Sequence, residues 1–429
     1  MPDLTVDVHH VTRVEGHGNI VVEVRGGQLT TCRFDVVETP RFFEAMLRGR
    51  PYDDASHITS RICGICAVGH ATTSLRATER ALGIVPSEQT RLLRKLNFFG
   101  EIIDSHVLHA YMLVAPDLLG LGSVIPLAKS APDVVHRALR MKKLAGDICK
   151  VICGRHTHPL GMTVGGFRMF PQPGELEDLH RRLVASRADV EATLELFGKL
   201  KFPFFERDTE YVALYSPDEY CFIDGQIRSS LGNTVGLDRY REVTNEHIRG
   251  HSSAKHAKHD RESYMVGALA RFKTSHALLH PVALQAADAL GLKPSCTNPY
   301  MNTVAQVVEI AHAVEESISL IEQLLKKGIA VEAPVAPQRL SGMGVGACEV
   351  PRGVLFHCYE IVDGIIVKSD CVIPTGQNLA NIEADMRALV PQIMDRPTDD
   401  VRLELEMLVR AYDPCISCST HLVDLRILG

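Results

Sequence analysis

The chain has 429 residues, which allows one large or two ordinary domains. Hydrophobic residues make up 45% and charged residues 23%, as in ordinary globular proteins, and the net charge of −6 argues against a nucleic-acid partner. No apolar stretch approaches the roughly 18–20 residues of a bilayer span and no signal-peptide pattern opens the chain, so we expect a cytoplasmic protein without direct membrane insertion.

The N-terminal part, 1–60, is predicted to be rich in β-structure. Its first 40 residues alternate apolar and polar side chains, and Gly26-Gly27 marks a turn, a pattern typical of a hairpin or small sheet. From Ala67 onward the apolar spacing becomes helical, and Ser87 is placed to cap one helix. The further predicted helices cover 87–113, 132–153, 175–200, roughly 272–290, 302–327, 377–393 and 399–411.

A second β-element is predicted late in the chain. Within 354–373, Asp363-Gly364 separates two apolar runs, which indicates a hairpin. Residues 201–260 are the least regular. We therefore predict one α+β domain, 1–429, that is mainly α, with a helical core formed by 61–200 and 265–413, a central bundle of long helices and small peripheral sheets.

Four of the twelve cysteines form two Cys-x-x-Cys pairs, Cys63/Cys66 and Cys415/Cys418. Two such pairs can hold one metal ion with four thiolates. The alternative is a structural zinc ribbon, in which the two Cys-x-x-Cys pairs usually lie about 15–20 residues apart. Closing the far longer loop here costs roughly 2–3 kcal/mol more than closing a ribbon, which favours a functional site. The other eight cysteines are expected to be mostly buried apolar side chains. They are Cys32, Cys149, Cys153, Cys221, Cys296, Cys348, Cys358 and Cys371.

The segments around the two pairs resemble the signatures of the nickel–iron hydrogenase large subunit. These signatures are Arg61-x-Cys-Gly-x-Cys-x-x-x-His70 and Asp413-Pro-Cys-x-x-Cys-x-x-His421. Further family-like motifs follow in the family's order along nearly the whole chain. They are Arg13-Val-Glu15-Gly-His17, Arg41-Phe-Phe-Glu44, Ser105-His106-Val-Leu-His109, His158-Pro159 with Gly165-Gly166, Glu349-Val-Pro351-Arg352-Gly353 and Pro374-Thr375-Gly-Gln-Asn378.

The resemblance implies a nickel–iron centre. Cys63 and Cys415 are then expected as terminal nickel ligands, and Cys66 and Cys418 as bridges between nickel and iron. In this family the iron also carries carbon monoxide and cyanide. The implied reaction is the reversible cleavage of H₂ into protons and electrons.

Five more residues acquire expected roles from the resemblance. Glu15 should receive protons beside Cys415. Arg352 should lie over the diatomic ligands of the iron and pair with Asp413. Thr375 should donate to a cyanide, and His70 to the bridging sulfur of Cys66.

The family also binds a hard cation, usually Mg²⁺. Glu44, the backbone carbonyl of Cys371 and His421 are the implied protein ligands. Residues 422–429 resemble the tail that a maturation protease removes from the family's precursors after nickel chaperones have delivered the metal.

The resemblance also implies partners. An iron–sulfur small subunit should take the electrons, since the remaining cysteines show no cluster spacing. Ser105, where many membrane-bound relatives have aspartate, and the short chain are similar to the cytosolic branch. That branch couples to flavin and iron–sulfur (diaphorase-like) subunits and to NAD(P), ferredoxin or another soluble acceptor.

The sequence allows three other interpretations to be compared with this one. Gly342-Met-Gly344-Val-Gly346-Ala347 fits a dinucleotide fingerprint, but Pro351-Arg352-Gly353 follows where a helix is needed. A non-catalytic relative, such as the quinone-site subunit of respiratory complex I, lacks the cysteine pairs. A zinc-stabilised scaffold is the third, and metal analysis distinguishes it.

Overall fold

The structure is a computed structural model that describes residues 3–420. Its helices are α1 Phe43–Leu47, α2 Ala55–Thr59, α3 Ala67–Leu82, α4 Glu88–Val107, α5 Ala115–Leu118, α6 Val124–Ser130, α7 Pro132–Cys153, α8 Pro173–Lys199, α9 Tyr240–Thr244, α10 Ala268–Ser275, α11 Pro281–Ala289, α12 Asn302–Lys327, α13 Pro374–Ile393, α14 Thr398–Ala411 and α15 Ile416–Ser419. Its strands are β1 Leu4–Val8, β2 Gly18–Arg25, β3 Gln28–Val36, β4 Met162–Thr163, β5 Gly166–Phe167, β6 Glu210–Tyr215, β7 Gln226–Ser229, β8 Thr234–Val235, β9 Tyr264–Met265, β10 Gly342–Val350, β11 Gly353–Val362 and β12 Ile365–Val372.

Four long helices form a bundle in which α4 packs on α7, α7 on α8, α8 on α12 and α12 on α4. Apolar faces with helical spacing bury Leu93, Leu96 and Phe99 of α4 in the core. The Ser87 hydroxyl accepts a hydrogen bond from the Thr90 amide at 3.1 Å, as the predicted cap requires. The predicted mainly α, α+β fold is confirmed.

Two helices end differently from the prediction. The helix expected over roughly 272–290 is broken into α10 and α11, because Pro281 lacks an amide hydrogen and begins a new helix. The helix expected over 87–113 leaves α-geometry at Leu108 and continues as a π-helical segment, Leu108–Val114. That segment rotates His109 toward α12, where it meets Gln306.

Each predicted β-element is present and belongs to a larger sheet. Strands β1–β3 form an antiparallel sheet, and the predicted hairpin is β11–β12, to which β10 adds a third strand. The irregular 201–260 stretch contributes β6–β8 to a sheet of order β8-β7-β6-β9. Within residues 3–420, none of the helices combines the length and apolar character needed to cross a bilayer.

The glycines of the suspected dinucleotide fingerprint lie in β10 and face α3. A Cβ atom on Gly344 or Gly346 would lie 2.2 Å from the carbonyl oxygen of Ala77 or Thr73, respectively. The glycines therefore let strand and helix backbones touch. Since α3 starts directly after Cys66, this contact sets where the first cysteine pair lies.

Candidate metal centre

Four cysteine side chains from opposite ends of the chain meet in the interior. Their sulfur atoms lie 3.6 Å apart for Cys63 and Cys415, 3.7 Å for Cys66 and Cys418, and 2.8 Å for Cys415 and Cys418. All four residues are at most 5% exposed. Spacings of this size let the four sulfur atoms share one small metal centre.

The charges at this cluster demand a cation. The hydrogen bond from the Cys415 thiol, with those of Cys418 and Cys66, holds the pKa of Cys63 well below its ordinary value. The amides of Ile65 and Cys66 also donate to this sulfur, at 3.2 and 3.1 Å. Hydrogen bonding to Cys418 in turn raises the pKa of Cys415 well above its ordinary value. Four thiolates can therefore coexist here only with positive charge among them, so the donor set fits a soft metal centre.

Arg352 lies beside the cluster with part of its guanidinium unused. Its Nε donates to the Asp413 carbonyl at 3.1 Å and its Nη2 to the Asp413 carboxylate at 3.0 Å. Its Nη1 is buried and has no hydrogen-bond partner among residues 3–420. Asp413 is held in turn by the Gln306 amide at 3.0 Å. A rigid, buried donor is thus available to a ligand of the centre.

Glu15 contacts the second cysteine loop on its other side. Its carboxylate oxygen lies 3.1 Å from the Cys415 sulfur and accepts from the Ser417 amide at 3.1 Å. Its backbone carbonyl accepts from the Ile416 amide at 2.9 Å. Glu15 is half-buried, so its carboxyl group connects a buried sulfur atom with the outer part of the structure.

Thr375 and His70, the other residues with predicted roles near the centre, are also buried. The Thr375 hydroxyl oxygen accepts from the Cys415 amide at 2.9 Å, which leaves its hydrogen for another acceptor. The Nδ1 atom of His70 lies 3.2 Å from Nε2 of His357, and Nδ1 of His357 lies 2.7 Å from the Tyr359 hydroxyl. Both side chains are therefore oriented by neighbours.

Two of the three predicted magnesium ligands come together. The Cys371 amide donates to the Glu44 carboxylate at 2.9 Å, and burial raises the pKa of Glu44 to about 7. A cavity of about 590 Å³ beside them is also lined by Glu246, Lys255 and Asp370. A buried carboxyl group with a raised pKa suits a cation ligand. His421 and the proposed tail lie outside the described residues.

A sequence profile of nickel-dependent hydrogenases matches residues 41–135 and 229–421, more than half of the chain. The chain belongs to the nickel-dependent hydrogenase family. As a member it is an oxidoreductase, and the predicted family resemblance is confirmed. The zinc scaffold and the non-catalytic relative therefore lose their support.

Individual hydrogenases are similar along nearly the whole chain. The α subunits of sulfhydrogenases 1 and 2 from Pyrococcus furiosus are 32% and 33% identical, over 98% of this chain and 99% and 100% of theirs. The β subunit of an NAD-reducing hydrogenase from Cupriavidus necator is 26% identical over 96% of this chain and 93% of its own. A crystal structure of an NAD⁺-reducing [NiFe]-hydrogenase in the H₂-reduced state superposes with a TM-score of 0.86 at 26% identity, covering 97% of this chain and 99% of that one.

Two residues with contacts around the cysteine cluster were not assigned a role there by sequence reasoning. The Arg41 guanidinium donates to the Ile62 carbonyl and, at 2.6 Å, to the Ser417 carbonyl, and so joins the two cysteine loops. The buried Glu101 carboxylate accepts hydrogen bonds from the Val68 and Gly69 amides in the first turn of α3. Burial, and secondarily the negative charge of Cys63, raise the pKa of Glu101 well above its ordinary value. A glutamate inside the apolar run from Phe98 to Ile103 was the available signal.

Proposed function

We propose that this chain is the catalytic large subunit of a nickel–iron hydrogenase that interconverts H₂ with two protons and two electrons. The observation that carries the proposal is the convergence of four buried cysteine sulfur atoms from two ends of the chain, all within 4.8 Å of one another. When bound, a nickel–iron centre supplies the redox chemistry that accepts the electrons of H₂. The surrounding side chains hold the centre and move the protons.

In this proposal the four cysteine thiolates would hold the nickel–iron centre, with Cys63 and Cys415 as ligands of nickel and Cys66 and Cys418 as ligands of both metals. Two donors near the cysteines would be available to cyanide and carbon monoxide on the iron. Arg352 offers the buried Nη1 group that has no partner in the described part of the chain, and Thr375 offers its hydroxyl hydrogen. A cationic donor fixed by Asp413 stabilises negative charge on such ligands without reorganising.

The proton exit proposed here starts at Glu15. Its carboxyl oxygen lies 3.1 Å from the Cys415 sulfur, within the range for direct proton transfer, and its half-buried position leads outward. The Ser417 hydroxyl, which donates to the same carboxylate, fixes its orientation. His70 is proposed to orient the bridging sulfur of Cys66 on the side facing β11.

A hydrated Mg²⁺ near the C-terminal end completes the proposed site. Glu44 supplies a carboxylate and Cys371 a backbone carbonyl, while His421 is the third proposed ligand. Oxygen donors and waters suit this cation, and the raised pKa of Glu44 shows that its burial as an anion needs compensation. Lys255 provides part of that compensation within the described residues.

We further propose that the chain works in the cytoplasm within a complex. An iron–sulfur small subunit would take the electrons, and flavin or iron–sulfur subunits would pass them to NAD(P), ferredoxin or another soluble acceptor. The names of the relatives, which are subunits of sulfhydrogenases and of an NAD-reducing hydrogenase, support this arrangement. Nickel chaperones and a maturation protease acting before Leu422 belong to the same proposal.

Infrared spectroscopy and exchange kinetics on the purified complex test this function. Wild type should contain nickel and iron, consume H₂ and show absorption bands of iron-bound carbon monoxide and cyanide. Glu15→Gln should keep the metals and the bands but lower H/D exchange by at least about 100-fold, because an amide cannot shuttle protons. Glu23→Gln, in strand β2, is the matched control. Active enzyme without the bands contradicts the nickel–iron assignment, and unchanged exchange in Glu15→Gln contradicts the relay.

A further inference from the structure

Two histidines and a glutamate that take no part in the cysteine centre form a second cluster. His251 and His256 lie on the loop between α9 and β9, and Glu383 lies in the middle of α13. One ligand atom from each of the three lies within 4.8 Å of the others. Nε2 of His251 is 2.7 Å and Nε2 of His256 is 3.7 Å from the same Glu383 oxygen.

His256 is the unexplained member of this cluster. Its side chain is 1% exposed, yet neither ring nitrogen has a hydrogen-bond partner in the part of the chain that the structure describes. Its backbone is fixed, because its amide and carbonyl pair with those of His247 at 2.9 and 2.8 Å. Leaving a buried donor or acceptor unsatisfied costs about 1–3 kcal/mol. An imidazole held in this way points to a ligand that is bound between it and Glu383.

The other two side chains suit that ligand. The Phe34 amide donates to the same Glu383 oxygen at 3.1 Å, which fixes the carboxylate in place. The His251 side chain is 24% exposed, which gives a solvent ion a path into the cluster.

We propose that His251, His256 and Glu383 bind one divalent ion of borderline softness, for which Zn²⁺ is the probe, with water as the fourth ligand. Two imidazoles and one carboxylate form a set that zinc accepts, whereas hard cations prefer oxygen. Tetrahedral zinc places such ligand atoms roughly 3.3 Å apart, between the 2.7 and 3.7 Å found here. The ion would tie the loop to α13, the helix that carries Thr375. This inference is independent of the proposed hydrogenase function.

Metal analysis of the full chain, purified with its nickel and iron in place and then treated with a chelator, tests the site. Adding Zn²⁺ should restore one zinc per chain in wild type, and X-ray absorption at the zinc edge should show only nitrogen and oxygen neighbours at about 2.0 Å. His251→Asn and Glu383→Gln should weaken zinc binding at least about 100-fold while nickel content, the check on folding, stays normal. His9→Asn is the matched control, since His9 forms an exposed pair with Asp7 at 3.3 Å.

Three results would overturn the proposal. The first is wild-type protein that binds no zinc beyond the cysteine centre. The second is a sulfur shell at about 2.3 Å, which would place the added zinc on cysteines. The third is unchanged zinc affinity in both His251→Asn and Glu383→Gln, which would reduce the cluster to an ion pair between a histidine and a carboxylate.

Discussion

Substituting alanine for Gly346 should loosen the contact between β10 and α3 and disturb the metal centre from a distance. The added Cβ would lie 2.2 Å from the Thr73 carbonyl oxygen and 2.6 Å from the Ala77 amide nitrogen, whereas ordinary contacts begin near 3.4 Å. Both obstacles are backbone atoms of α3, which cannot rotate away, so the helix has to retreat by roughly 1 Å. Overpacking of this kind costs about 1–3 kcal/mol.

Urea unfolding of Gly346→Ala, followed by far-ultraviolet circular dichroism, measures that free energy. Nickel content after dialysis is the second measurement, because α3 begins directly after Cys66 and a shifted helix start widens the sulfur cluster. Gly174→Ala is the matched control, since Gly174 lies in α8 with open space around it and alanine favours helices. A free energy of unfolding for Gly346→Ala within about 0.5 kcal/mol of wild type, with full nickel, would refute the reasoning.

Three further changes have defined outcomes. Cys415→Ser should abolish nickel retention, because a neutral hydroxyl cannot replace a soft anionic ligand; normal nickel content by elemental analysis would show that the ligand assignment is wrong. Glu44→Gln should lower the magnesium content per chain, and equal magnesium in variant and wild type would remove Glu44 from that site. The third change is His259→Asn. In wild type the Glu210 carboxylate, 2.5 Å from the His259 ring, raises the pKa of His259. The stabilisation of the fold by this ion pair is therefore complete below the ordinary histidine pKa of about 6.5 and is lost as pH rises through the raised pKa. The difference in free energy of unfolding from wild type should therefore shrink from pH 6 to pH 9, and a constant difference would contradict the assignment.

Patterns that depend on neighbours in the chain were readable from the sequence. Ser87 caps the N-terminus of α4, as its position in the sequence predicted, and the Asp363-Gly364 turn joins β11 to β12. The two cysteine pairs predicted a shared site because their residue type and spacing already specify soft-metal chemistry. Seven of the other eight cysteines are buried, as expected, and Cys296 is half-buried.

Contacts between distant segments were not readable in this way. The sequence around Gly346 argued against a nucleotide site but gave no role for this glycine, and its place against α3 shows that it serves close packing. His256 and Glu383 are far apart in the chain, and neither has a local spacing that signals a ligand. The π-helical turn at Leu108–Val114 arises from packing against α12 and the C-terminal segment, since His109 contacts Gln306 and the Arg410 carbonyl. Tertiary contacts decide such features.

The distance along the chain between the two cysteine pairs has a consequence for protein synthesis. Cys63 and Cys415 are 352 positions apart in the chain, and the Arg41 guanidinium, which donates to the Ile62 and Ser417 carbonyls, joins the two cysteine loops. At roughly 5–20 residues per second, a ribosome needs on the order of 20–70 s to make the second pair after the first. A nascent chain that ends before Cys415 therefore holds only half of the thiolates, and we expect nickel to be retained only by molecules whose translation and folding are both complete.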